Sequence, residues 1–108
     1  MAFPERVAHP HITRKEGIAG GKPVIVGTRI KVSQIAIETE RLGWTPDQIV
    51  EAHPHLTLAQ VHDALSYYYD HQAAIDAEIA ADEKFVAELR ASYSSKLDQS
   101  DADQNLHG

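Results

Sequence analysis

Apolar residues recur along this chain at two different periods, and the change from one to the other divides it. Between Lys22 and Val32, KPVIVGTRIKV, β-branched residues dominate and alternate with polar ones, a period of two that suits a strand. Within that run Val26-Gly27-Thr28-Arg29 has the Gly-X form of a two-residue type II′ turn, which predicts a β-hairpin. Val24 and Val26 then share one side with Ile30 and Val32, while Arg29 and Lys31 line the other, giving a small sheet with one basic face. A lone hairpin is marginal. It must pair with the helices, with another copy of itself, or with Ile12 to Ile18, ITRKEGI, which reads as a short strand. Gly20-Gly21 breaks the chain between the two, and residues 1 to 11, punctuated by Pro4, His9 and Pro10, read as an extended lead-in.

From Ser33 the period becomes that of a helix. Ser33 to Leu42 predicts a first helix with Ile35, Ala36 and Thr39 or Leu42 toward the core and Gly43 as its left-handed stop. Trp44, the one tryptophan, either anchors the packing of this helix on the next or stacks on a ligand, and the first role is the commoner. Two helix starts of one kind follow, twelve residues apart: Thr45-Pro46-Asp47-Gln48 and Thr57-Leu58-Ala59-Gln60. In each the threonine can accept a bond from the third helical amide while the glutamine reaches back, a capping box. Pro54 disfavours the helical conformation at His53, so a helix from Pro46 to about Ala52, burying Ile49 and Val50, must stop there. The outline is a helix-turn-helix.

In the third helix Leu58, Val61, Leu65 and Tyr68 fall on one stripe, and Ile75, Ile79, Val86 and Tyr93 continue it in nearly the same phase. No proline or glycine intervenes between Pro54 and Gly108. A single helix of ~35 residues would be ~50 Å long, more than a small core can cover. Either the helix bends near His71 and folds back, or its far half projects and buries its stripe on another chain. After Ser92 the residues turn polar and acidic, which predicts a disordered tail. The resulting organisation is a β-hairpin plus helix-turn-helix domain over residues 1–71, a helical extension over 72–93 and a tail over 94–108. The fold class is mainly α, with a small N-terminal β-hairpin or sheet, a homeodomain-like core and a long C-terminal helix.

Charge changes this picture most. The net charge of −6 is uneven: residues 1–44 hold seven Lys and Arg against four Asp and Glu, net +3, and residues 45–108 hold three against twelve, net −9. A basic front and an acidic rear suit an anionic partner at one end and a cationic one at the other, or simply keep the protein in solution. With no cysteine there is no disulfide framework or thiolate metal site, which fits a reducing compartment. MAFPERVAHP lacks the apolar run of a signal peptide and no stretch reaches the length of a membrane span, so the expectation is a cytoplasmic protein that touches no membrane.

Seven histidines raise a metal, above all His9-Pro10-His11 and His53-Pro54-His55. Two ligands separated by a proline, without a third and fourth, make a poor zinc site. His62 and His71 sit off the core stripe and read as solvated or interface groups. No nucleophile and base stand in a catalytic arrangement, and Gly20-Gly21-Lys22 lacks the spacing of a phosphate loop. Neither a cofactor nor a small-molecule substrate is implied, and an enzyme is the least supported class. For DNA, the exposed positions of the second helix of the pair are Ala59, Gln60, His62, Asp63 and Tyr67. Gln60 can read adenine and Thr57 can hold a phosphate, but no Arg or Lys occurs from Thr45 to Glu83. Affinity would have to come from Arg14, Lys15, Lys22, Thr28, Arg29 and Lys31 on the N-terminal segment, doubled by dimerisation. A helical pair used only for packing is the equal alternative.

The run GGKPVIVGTRIKVSQIAI, a Gly-aromatic step, TPDQIVEAHPHLTLAQVHDAL and an aromatic-rich helix together resemble domain of unknown function 433, also described as a VapB-like antitoxin family. The likeness spans roughly residues 9–71. It rests on Gly21, Lys22, Pro23, Gly27, Thr28 and Arg29 at the hairpin and on Pro54, His55, Leu56 and Thr57 at the turn. It implies a dimeric homeodomain-like or winged-helix-like core and the antitoxin role in a bacterial type II toxin–antitoxin pair, the toxin being a PIN-like ribonuclease. Under that implication the helix from Ala73 to Tyr93 wraps the toxin, with Ile75, Ile79, Phe85, Val86 and Leu89 as anchors. Lys84 or Arg90 would reach the nuclease site. Two other readings stand beside it: a homodimer or higher homo-oligomer closed by the same stripe, and a stand-alone DNA-binding regulator.

Overall fold

The computed structural model describes the backbone of residues 8–107 and the side chains of residues 8–94. The lead-in over residues 1–7 and the side chains of the tail lie outside the described residues. The fold is mainly helical: β1 (Ile12–Thr13), a 3-10 turn at Ala19–Gly21, β2 (Val24–Ile25), then α1 (Val32–Glu40), α2 (Pro46–Ala52), α3 (Leu58–Asp70) and α4 (Gln72–His107). It divides into two compact units, the first ending at Asp76 and the second starting at Ala77.

β1 and β2 pair antiparallel, Ile12 opposite Ile25 and Thr13 opposite Val24. On the other side of β2, Val24 bridges to Lys31 and the Ile25 amide donates to the Ile30 carbonyl at 2.9 Å. The expected hairpin is therefore present only as a bridge, and its extra pairing comes from β1, which is two residues long where the sequence predicts seven. The turn differs from the type II′ form as well. The Thr28 amide donates to the Ile25 carbonyl at 3.0 Å, so the turn is Ile25 to Thr28. Gly27, at φ +79°, occupies its third position, where a left-handed residue belongs to a type II turn. The shift breaks the expected alternation: Val24 and Ile25 are both buried, Val26 at the turn is exposed, and Val32 starts α1. A two-residue strand that runs into a turn and a helix has no second face to keep polar.

The three helices of the first unit follow the sequence reading closely. α1 begins one residue before Ser33 and ends before Gly43, which at φ +70° takes the stop conformation. Leu42 lies past the helix end and is exposed. Both capping boxes form: the Gln48 amide donates to Thr45 Oγ1 and the Gln60 amide to Thr57 Oγ1, each at 3.2 Å. α1 and α2 pack on α3, and β1 also lies against α3. The core is built from Val24, Ile25, Val32, Ile35, Ile49, Leu56, Val61, Ala64, Leu65, Tyr68 and Ile75. Each such aliphatic side chain, fully buried, contributes about 1.5–3 kcal/mol. Leu58, expected on the stripe, is exposed. Leu56, ahead of the cap, takes its place.

At His71 (φ −127°, ψ 36°) the helix breaks, its amide shared between the carbonyls of Tyr67 and Tyr68. α3 and α4 are thus separate helices, and the Tyr68 hydroxyl donates to Asp76 Oδ1 at 2.8 Å across the break. α4 runs on through the stretch whose composition predicts disorder; with no proline or glycine before Gly108 nothing in the backbone stops it. Among the described residues no helix is long and apolar enough to cross a membrane.

Candidate functional site

The turn after β2 and the segment after β1 enclose an open cleft of about 510 Å³, lined by Thr13, Lys15, Ile18, Val24, Val26, Gly27, Thr28 and Arg29. Three residues expected to contact DNA, Lys15, Thr28 and Arg29, meet here. The Thr28 hydroxyl is occupied by the fold: it donates to the Ile25 carbonyl at 2.8 Å and accepts from the Ile30 amide at 3.0 Å. That clamp and the left-handed Gly27 set where Arg29 leaves the turn. Lys15 and Arg29 are exposed at the rim and give the cleft a cationic edge over an apolar floor. Arg14 is turned to a structural use, its Nε donating to the Gly21 carbonyl at 3.0 Å. Lys22 and Lys31 are half-buried and do not line the cleft.

The start of α3 is a different surface. Thr57 and Gln60 face each other in their capping box, the Thr57 amide donating to Gln60 Oε1 at 2.8 Å. Their oxygens are spent on the helix end, and a base or phosphate would compete with the cap. Further along, the face expected to lie open is partly covered by the N-terminal segment. Asp63 Oδ2 accepts from the His11 amide at 2.7 Å, and His9 sits 3.4 Å from Asp63 through Nδ1 and 2.9 Å from Asp70 through Nε2. The His9 ring meets Tyr67 edge-on at 5.1 Å, and Tyr67 tilts against His71 at 4.3 Å. Asp63 and Asp70 therefore anchor residues 9–11. Asp63, Tyr67 and Asp70 fall at helical spacing on one face of α3. That spacing was visible in the sequence; its partner, more than fifty residues away, was not.

A second histidine cluster joins α1 to the end of α2. His53 Nε2 lies 2.9 and 3.1 Å from the two carboxyl oxygens of Glu38, which is 6% exposed, and Gln34 Nε2 approaches the same carboxyl at 3.4 Å. Neither His9-Pro10-His11 nor His53-Pro54-His55 gathers ligands: among the described residues no group of three or more His, Asp or Glu could hold a metal ion. The tyrosines are tied to acids too. Burial, then the hydrogen bond and charge of Asp76, push the Tyr68 phenol up to about 12. The Tyr69 hydroxyl donates to Glu40 Oε1 at 2.6 Å, and that bond, with partial burial, raises it as well.

The stripe expected to hold a partner is split. Ile75 and Ile79 are buried within the chain and are not available. Phe85, Val86, Leu89 and Tyr93 are 60%, 42%, 54% and 64% exposed, a run of large apolar side chains with Lys84 and Arg90 exposed beside it. A shallow groove of about 330 Å³ lies along this face between Asp82, Glu83, Val86, Ala87 and Arg90.

Comparison with known proteins bears on the first unit above all. None of the curated proteins matches the chain. It is similar to a DUF433 member protein from Anabaena variabilis ATCC 29413, known from a crystal structure, at 27% identity and a TM-score of 0.59 over 73% of this chain and 87% of that one. The family model "Protein of unknown function (DUF433)" matches residues 12–68, the span that holds the cleft, both capping boxes and the Glu38–His53 pair. With more than half of its length matched, the chain belongs to the DUF433 family.

Proposed function

We propose that the chain is a non-enzymatic, antitoxin-like component of a bacterial type II toxin–antitoxin pair, acting in the cytoplasm and neutralising a PIN-like ribonuclease by protein–protein binding. The observation that carries this reading is the exposed apolar run Phe85, Val86 and Leu89 on α4, flanked by Lys84 and Arg90. Amphipathic helices dock by laying such anchors, three and four residues apart, into an apolar groove. Lys84 or Arg90 would then reach the acidic nuclease site and displace its metal-bound water. The test is binding and inhibition of the small nuclease encoded beside this gene, using the full chain with Phe85→Asp and Leu89→Arg. Loss of inhibition is the expected result. Nanomolar binding retained by the double variant would overturn the assignment.

A second reading concerns DNA and is favoured by the cationic cleft. Lys15 and Arg29 at its rim can each neutralise a phosphate of the operator, doubled in a dimer. Arg29→Ala is expected to reduce the salt dependence of promoter binding by about one unit of slope per site. Absence of binding even at low salt would remove this reading.

A further inference from the structure

Two turns of one kind form walls of the cleft in the first unit. Lys15 to Ile18 is closed by the Ile18 amide, which donates to the Lys15 carbonyl at 3.2 Å, and Gly17 is left-handed at φ +82° in its third position. Ile25 to Thr28 repeats that arrangement with Gly27. Each turn brings a cation and an aliphatic side chain to the cleft: Lys15 with Ile18 from the first, and Val26 with Arg29, one residue past the turn, from the second. The Val26 amide donates to the His11 carbonyl at 2.8 Å, which ties the second wall to the segment ahead of β1. Backbone bonds therefore hold the walls before a ligand arrives, and little ordering is left for binding to impose.

We propose that this cleft binds a small amphiphilic carboxylate, its head group at Lys15 and Arg29 and its apolar body on Ile18, Val24 and Val26. Among the described residues neither cation is in an ion pair. Glu16, the acid next to Lys15 in sequence, does not line the cleft. An arginine fork matches the two oxygens of one carboxylate, and a lysine adds a second positive charge. The Thr28 hydroxyl is already committed to Ile25 and Ile30, which leaves the floor to aliphatic carbon. Val26, 46% exposed, gains cover from the ligand body. The volume of about 510 Å³ falls in the range of small-molecule sites. A DNA backbone would use the same two cations but has no apolar part for the floor, so the floor favours an amphiphile. This site rests neither on the antitoxin-like reading nor on the operator reading.

Octanoate is the probe, with acetate and octanamide as controls, and the readout is the amide chemical shifts of the full isotope-labelled chain. Saturable shifts at residues 13–18 and 24–29 are expected at concentrations up to ~10 mM. Burying one methylene strengthens binding up to about fourfold, so acetate should bind at least about tenfold more weakly than octanoate even in an open cleft. Octanamide, which lacks the charge, should also be about tenfold weaker. Lys15→Ala and Arg29→Ala should each weaken octanoate about threefold, and Val26→Asp should remove its binding. All three positions are exposed, and unchanged Trp44 fluorescence shows that the variants keep their fold. Equal binding of acetate or octanamide, shifts centred elsewhere, or no saturation overturns the proposal. A promoter duplex that shifts these amides where octanoate does not also overturns it and leaves the operator reading standing. Octanoate binding without DNA binding supports the site and removes only that other reading.

Discussion

Removing the carboxyl of Glu38 is the sharpest test of how the first unit holds together. Glu38 lies on α1 at 6% exposure, and both its oxygens are within 3.1 Å of His53 Nε2 at the end of α2. Gln34, at 3.4 Å, can replace little of that contact. Glu38→Ala leaves the imidazole without its partner and opens a gap beside α1. A buried group deprived of its partner costs about 1–3 kcal/mol, and His53, 17% exposed at its side chain, recovers part of that from water. Adding the lost packing gives about 2–3 kcal/mol for Glu38→Ala. Glu38→Gln keeps the shape and one hydrogen bond and should cost about 1 kcal/mol. Urea unfolding followed by Trp44 fluorescence reads both, since with a slope of about 1 kcal/mol/M the midpoint should fall by about 2 M in the first case. His53→Ala completes a double-mutant cycle, and the coupling should reach at least about 1 kcal/mol. Additivity of the two single variants to within about 0.5 kcal/mol would refute the argument that this contact ties α1 to α2.

Three further outcomes follow from single residues. The Tyr68 phenol, raised from 10.0 to about 12 in the folded chain, contributes stability that is fully present below pH 10 and is lost as pH rises toward 12. The contribution is on the order of 1 kcal/mol. Spectrophotometric titration should show a last phenol step that disappears in Tyr68→Phe and moves down, short of the free value, in Asp76→Asn. Thr57→Ala removes the cap of α3 and should cost about 1 kcal/mol in thermal or urea unfolding, with Thr57→Ser close to neutral. Gly27→Ala places a side chain at φ +79° in open space, so the cost of about 1–2 kcal/mol is conformational and nothing clashes; an unchanged midpoint would show that the turn can adopt another form.

The helices were legible because their signals are local. Thr45 and Thr57 each find their glutamine three residues on, Gly43 stops α1 by its own conformation, and both boxes form in the structure. The sheet was harder to read because its strands are two residues long and alternation needs more length to declare itself. Gly27 signalled a turn in either register, and only the Thr28 to Ile25 bond decides between them. At the candidate sites, charge type located Lys15 and Arg29 but could not tell that Arg14 spends its guanidinium on Gly21 or that Thr57 and Gln60 spend their side-chain oxygens on a cap. Along α4 the expected stripe divides into buried Ile75 and Ile79 and exposed Val86 and Tyr93. Where its burial ends, between Ile79 and Val86, depends on what packs there, which periodicity does not encode.

The two capping boxes also bear on the order in which the chain assembles. Each is closed by residues three apart, so α2 and α3 can define their own ends as soon as they form, at little cost in loop closure. The bond from the His11 amide to Asp63 spans more than fifty residues and gains nothing until α3 exists to receive it. Folding should therefore run from the middle of the sequence outward, with the N-terminal segment locking last. In the native state the same logic runs backwards: that segment is the first to open, and its amides should exchange with solvent well before those of α3.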